Sequence, residues 1–383
     1  MKLIRNADVY APEHLGHRDI LVEGERITAM EEHIDLPQEM PFLEQINAAG
    51  QIVTPGFVDL HEHITGGGGE GGPSTRVPEA SLKTLIQCGV TTVVGLLGTD
   101  GISRSLENLL AKAQSFEEEG ITARILSGSY GYPPVTFFGS PERDLQLLDM
   151  VIGVKTAMSD HRSSNIGSHE LIALGTDVRR GSMLGGKAGF VTIHMGSGKA
   201  GLRPLLQALE ESDLPPRTFL PTHMSRTDSL LQEGVQLMAM GGRIDLTAGE
   251  DAAENRALAD RIADLLKQGF RSGLSVSSDA YGSMPRFNEN KELIGLTYGT
   301  PSCLQELLRI LVQEKSVPLE EALCLFTANP AAVMGMSSRK GTIQPGSDAD
   351  LLLYDEHLQI QAVLARGRIA LQGGIAYLHG RFE

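Results

Sequence analysis

From Gln51 to about Arg339 the chain alternates two hydrophobic rhythms. Short apolar runs are separated by longer stretches in which apolar residues return every three or four positions. The runs read IVTPGFVDLH, TTVVGLLGT, ARILSGSY, MVIGVKT, GFVTIHMG, TFLPTHMS, RIDLTAG and GLSVSSDA. Between them stand helical stretches such as ASLKTLIQCG, SLENLLAKAQSFEEEG, PLLQALEES, SLLQEGVQLMAMGG and NRALADRIADLLKQGF. Buried strands alternating with amphipathic helices mark parallel βα units. Eight such runs predict an α/β fold, a (β/α)8 TIM barrel whose working end lies at the C-terminal ends of its strands.

The two ends of the chain follow a different pattern. KLIRNADVYA and DILVEGERITAME near the start, and TIQPGSDADLLLYD, IQAVLARGRIALQGG and IAYLHGRFE near the finish, are short β-like runs broken by Pro, Gly and Asp. Neither end can close a core by itself. The pattern predicts that residues 1–50 and 340–383 meet in a small β-sandwich domain, leaving 51–339 as the barrel.

Composition narrows the function. At 383 residues and 41% hydrophobic content, the chain can fill a barrel core. A net charge of −15 with no basic block argues against nucleic-acid and acidic-membrane partners, so a bound anion must be held by individually placed arginines. Cys88, Cys303 and Cys324 are far apart and form no CxxC pair, which indicates neither a zinc knuckle nor a disulfide framework and suits a reducing compartment. MKLIRNADVYAPEHLG turns polar too early for a signal peptide, and no apolar stretch approaches the ~20 residues of a membrane span. The expected setting is cytoplasmic.

The candidate chemistry stands at the ends of the apolar runs. The first ends in His61 and His63, two residues apart, so on a strand both imidazoles leave the same face. The fourth contains Lys155, the fifth ends in His194, the sixth in His223 and the eighth in Asp279. A single histidine after a strand is ordinarily a cap or a core residue. Four histidines and an aspartate at equivalent run ends, which a barrel gathers at one mouth, point instead to metal ligation. Lys155 cannot stay an ammonium there, because burial and positive neighbours lower its pKa. A neutral amine can add carbon dioxide and become a carbamate, an anion able to bridge two metals. The remaining histidines, His161 among them, fall in loops or terminal segments and carry no such expectation.

This order, HxH followed by Lys, His, His and Asp at barrel strand ends, resembles the binuclear amidohydrolase superfamily, which also has a flanking β-sandwich built from both chain ends. The resemblance covers essentially the whole chain. Within it, GGGGEGG after HEH, SGSYGYPP, KTAMSDHRSS and THMSRT look like the isoaspartyl dipeptidase family, whose members hydrolyse β-aspartyl dipeptides. The resemblance implies a binuclear metallopeptidase in which His61, His63 and Asp279 hold one metal, His194 and His223 hold the other, and carbamylated Lys155 bridges them. Zinc suits imidazole and carboxylate ligands, although the same set accepts other divalent ions. A metal-bridging hydroxide is then the nucleophile, and Asp279 carries its proton to the leaving amine. The family also implies a homo-oligomer.

A β-aspartyl dipeptide presents one ammonium and two carboxylates. Glu70, in the flexible glycine-rich loop after the first strand, supplies an anion for the ammonium, while Arg162 and Arg226 offer forked donors for carboxylates. The family likeness makes these positions substrate contacts, adds Ser283 at a carboxylate and gives Tyr130 the developing oxyanion. Spacing alone does not choose between Tyr130 and Tyr132. After Asp279 the chain reads Ala280-Tyr281, where the family pattern has glycine first, so a methyl and a ring are expected near the base. The Gly66–Gly69 run lacks the Lys and Ser/Thr of a phosphate cradle. Two other readings compete: a cyclic-amide hydrolase of the dihydroorotase or hydantoinase kind, which needs no group for a free ammonium, and a non-catalytic scaffold of the same fold, which would have lost metal ligands.

Overall fold

The computed structural model describes residues 1–37 and 40–383. Each apolar run contributes one barrel strand: β1 (Phe57–Glu62), β2 (Val90–Gly95), β3 (Thr122–Gly128), β4 (Val151–Met158), β5 (Phe190–Met195), β6 (Phe219–Thr222), β7 (Ile244–Thr247) and β8 (Leu274–Ser277). Strands β1 to β6 form a parallel sheet in chain order, and β7 pairs in parallel with β8. Every residue of β1, β2, β4 and β5 is buried. Helices cover one side and the barrel interior fills the other, which is why these runs show no polar alternation.

The backbone ladder is interrupted at two seams, β6/β7 and β8/β1, and a buried carboxylate crosses each. At the first, Thr222 Oγ1 of β6 donates to Asp245 Oδ2 of β7 at 2.7 Å, and Ser275 and Ser277 of β8 donate to the same carboxylate at 2.6 and 2.5 Å. At the second, Asp59 of β1 accepts the N–H of Ser278 at 3.2 Å and that of His61 at 3.0 Å. A parallel bridge between Glu62 and Ala280 completes this closure. Burial pushes the Asp59 carboxyl up to about 7 and that of Asp245 to about 6, although both are fully hydrogen-bonded.

Strands from both chain ends form a single nine-stranded mixed sheet. Its two halves join where Ile52–Pro55 pairs antiparallel with Leu351–Tyr354 and parallel with Lys2–Tyr10. The core beneath it mixes Ile4, Ile20 and Ile27 with Leu351, Leu353 and Leu364, so neither end closes it alone. The first apolar run therefore divides. Gly56 N–H donates to Asp350 O at 2.9 Å, and Phe57 N–H, the next along, donates to Gly89 O at 3.0 Å. One peptide belongs to the outer sheet and its neighbour to the barrel. A Cβ at position 56 would lie 2.2 Å from Thr91 Oγ1, so the crossing requires glycine.

Among the elements outside the sequence pattern, two stand close to the site strands. The helix Ser168–Gly185 after β4 buries Gly175, Gly181 and Ser182 along with Leu171, Leu174 and Val178, and a hydrophobic count passes over such small residues. After β8 comes an antiparallel hairpin, Ser283–Phe287 with Leu293–Tyr298, whose half-exposed strands give no apolar signal. No described helix is long and apolar enough to cross a membrane.

Candidate metal centre and substrate pocket

His61 lies in β1 and His63 just past its end, Lys155 lies within β4 and His194 within β5, while His223 and Asp279 follow β6 and β8. All six are buried at one mouth of the barrel. Lys155 Nζ is 2.8 Å from His61 Nε2. Asp279 Oδ1 stands 3.1 Å from His63 Nε2 and 3.4 Å from His61 Nε2, and its Oδ2 is 3.9 Å from His223 Nε2. His61, His223 and Asp279 each offer a ligand atom within 4.8 Å of the others. His194 packs its ring 4.5 Å from that of His223, but its nitrogens face elsewhere: Nδ1 is 2.7 Å from Tyr130 Oη, and Nε2 is 3.3 Å from Asp160 Oδ2.

The donor set fits a divalent metal. His223 Nδ1 is 2.6 Å from Thr247 Oγ1, whereas its buried Nε2 has no hydrogen-bond partner, the arrangement in which the second nitrogen is free to ligate. On His61 and His63 it is Nε2 that faces Asp279, while their buried Nδ1 atoms have no hydrogen-bond partner. Burial holds His61, His194 and His223 well below the usual imidazole range, and the Lys155 amine adds to the effect at His61. Burial also pushes Lys155 down to about 7, against the pull of Asp279. The group is thus built of neutral imidazoles, one carboxylate and an amine ready to lose its proton. His223 (φ 61°) and Asp279 (φ 52°) both take the left-handed backbone region. That conformation is costly for residues with side chains and is retained where a side chain must be aimed.

A cavity of about 380 Å³ opens in front of this group. Glu70 reaches into it and accepts hydrogen bonds from Ser283 Oγ at 2.8 Å and Thr99 Oγ1 at 3.0 Å, with Arg162 Nη1 at 3.5 Å. The loop that carries Glu70, expected to be flexible, is tied down. Gly67 N–H donates to Tyr281 O at 2.8 Å, and buried Arg104 donates to the carbonyls of Thr65 and Val77. A Cβ on Gly66 (φ 76°) would meet Val77 O at 2.2 Å, so glycine serves close packing here. Tyr130 lines the cavity beside His194, and burial raises its phenol, which keeps the proton available for donation. Tyr132 is not among the lining residues, and its backbone N–H is spent on Ser164 Oγ at 2.9 Å. Ala280 and Tyr281 do not intrude either: Tyr281 turns outward, its hydroxyl accepting the Ser81 N–H at 3.2 Å.

Several lining residues were not anticipated. Asp160 grips Arg162 with two parallel bonds of 2.9 Å, Nε to Oδ1 and Nη2 to Oδ2, and also approaches His194. Burial alone would raise the Asp160 carboxyl, but the His194 and Arg162 hydrogen bonds outweigh it and hold the group far below the usual carboxylate range. An acid two positions before an arginine, in KTAMSDHRSS, was the available signal. His161, set aside in the sequence, packs edge-on against Phe287 of the hairpin with ring centroids 4.8 Å apart. Arg286 and Phe287 reach the cavity only through that hairpin.

The sequence and fold have relatives among known proteins. Residues 52–370 match the sequence pattern described as the Amidohydrolase family. A solved β-aspartyl dipeptidase from Fervidobacterium islandicum AW-1, in complex with a β-Asp-Leu dipeptide, is 42% identical and covers 98% of each chain with a TM-score of 0.91. A curated dihydroorotase from Elusimicrobium minutum is 25% identical over 93% of this chain and 88% of its own length. The D-hydantoinase of Bacillus sp. AR9, at 19% identity and TM-score 0.69 over 99% of this chain and 97% of its own, shares the fold.

Proposed function

The chain belongs to the amidohydrolase family, and from that membership we propose that it hydrolyses the isopeptide bond of β-aspartyl dipeptides in a metal-dependent reaction. The observation that carries this reading is Glu70, an anion set in the same cavity as two arginines, Arg162 and Arg226. This set matches one ammonium and two carboxylates on a small zwitterion.

His61, His63 and Asp279 would hold one zinc ion and His223 a second, together with His194 once a ring nitrogen leaves Tyr130 or Asp160, and Lys155 as its carbamate would serve both. The unpartnered Nε2 of His223 and the lowered pKa of Lys155 support the assignment. Such a pair supplies a water of lowered pKa as nucleophile and polarises the scissile carbonyl. Asp279 takes up the proton released by that water on its carboxylate and returns it to the leaving nitrogen. Tyr130 donates its phenolic hydrogen to the carbonyl oxygen as negative charge develops. Glu70 pairs with the substrate ammonium, Ser283 and the two arginines hold its carboxylates, and Asp160 keeps Arg162 aimed. The three cysteines are buried and free, which suits a cytoplasmic setting, and a homo-oligomer is part of the same reading on the family likeness.

The experiment is a hydrolysis screen of the metal-loaded protein on β-aspartyl dipeptides, their α-linked isomers and dihydroorotate. Cleavage confined to the β-linked set is expected. Preference for dihydroorotate would favour the cyclic-amide reading, which the curated dihydroorotase relatives motivate but which gives Glu70 no substrate ammonium to pair with.

A further inference from the structure

Beside the cavity runs a second groove of about 420 Å³, and Arg226, Glu250, Asp279 and Met284 line both. Glu70, Arg162 and Tyr130 line only the first. The group that protonates the leaving nitrogen therefore stands at the junction, with every contact for the aspartyl half on one side of it.

The groove is formed by the end of β7, by Met284 of the hairpin and by the helix Ala252–Lys267. One wall is apolar, formed by buried Ala248 and Leu258, half-buried Met284 and exposed Ala257, and it stands beside polar Ser225 and Thr247 and the charged Glu250. Its charge is also uneven. Arg261 is already paired with Asp228 at 2.8 Å and donates to Ser225 O, while no cation among the described residues pairs with Glu254.

We propose that this groove receives the side chain of the leaving residue, with Ala257, Leu258 and Met284 setting a preference for apolar over acidic residues there. The inference rests on the β-aspartyl dipeptidase reading. Arg226 at the junction holds the leaving residue's carboxylate and Asp279 serves its nitrogen. The remaining substituent on that carbon, the side chain, then enters the groove. An apolar side chain gains contact with Leu258 and Met284, while an acidic one meets Glu254.

The test compares kcat/KM of the metal-loaded protein on β-Asp-Leu, β-Asp-Gly and β-Asp-Glu. The leucine substrate should exceed the glycine substrate by about 10-fold or more, the scale on which apolar pockets discriminate, and the glutamate substrate should be poorest. Ala257→Trp, at an exposed helical position, fills the groove and should bring the Leu/Gly ratio close to unity. Glu254→Lys should raise the Glu/Leu ratio. A wild-type Leu/Gly ratio near unity, or ratios unmoved by both substitutions, would overturn the groove assignment while leaving β-aspartyl hydrolysis standing. Failure of the wild type to cleave any of the three peptides would overturn the activity, and the groove assignment with it.

Discussion

Lys155 Nζ lies 2.8 Å from His61 Nε2, inside a strand whose residues are all buried. An ammonium in that position would face imidazoles with little water to screen it, and burial already brings the amine down to about 7. Replacing Lys155 with alanine should abolish activity. Small carboxylates such as acetate or propionate, added to the variant, should restore part of it by taking the place of the carbamate. Elemental analysis of protein purified without chelator should show near-stoichiometric metal in the wild type and less in the variant. A fully active Lys155→Ala protein would remove the bridge from the mechanism, and metal-free wild type would favour a scaffold.

Glu70 accepts from Ser283 and Thr99 and lies near Arg162, so its charge is oriented before any ammonium arrives. Glu70→Gln retains the shape and removes that charge. Activity on β-aspartyl dipeptides should fall by about 100-fold with metal content unchanged, because a site built for a charged group is left mismatched. Wild-type kcat/KM in this variant would dismiss the ammonium contact.

Asp160 acts through Arg162 and calls for a different readout. In Asp160→Asn one of the two hydrogen bonds donated by the guanidinium becomes donor against donor. The kcat/KM should drop on the order of 10- to 100-fold, mostly through KM, since the lost term is carboxylate orientation. A variant with unaltered KM and lowered kcat would mean that Asp160 serves the chemistry through His194 instead.

Asp59 gives a pH signature. Its carboxyl sits at about 7 in the fold against an ordinary 3.8. Between those values the folded protein keeps a proton that the unfolded chain has released, so this group's contribution to stability is complete in acid and is lost as pH rises from about 4 to about 7. Asp59→Asn keeps an oxygen for the Ser278 and His61 N–H groups and removes the titration. Urea unfolding of the metal-free proteins across that window should show a shallower decline for the variant. Parallel slopes would mean that Asp59 is ionised throughout.

What the sequence disclosed follows from what makes a pattern. The barrel strands are covered on both faces, so each appears as an unbroken apolar run, and the reactive side chains interrupt those runs at their ends. His61, Lys155 and Asp279 were visible for that reason. Asp160 and Asp245 were not, because an acid bonded to arginine, serine or threonine looks in sequence like any polar residue near a strand. The Ser283–Tyr298 hairpin escaped because it covers the pocket without building a core of its own. Tyr130 and Tyr132 could be separated only by a backbone that turns one inward and the other away.

At Gly56 two successive N–H groups serve different sheets, one reaching Asp350 and the next Gly89. His61 and His63 therefore hang from a single rod whose far end is clamped between strands from opposite ends of the chain. A substitution that weakens that outer pairing, far from the reacting bond, is therefore expected to lower the bound metal found by elemental analysis before it unfolds the barrel.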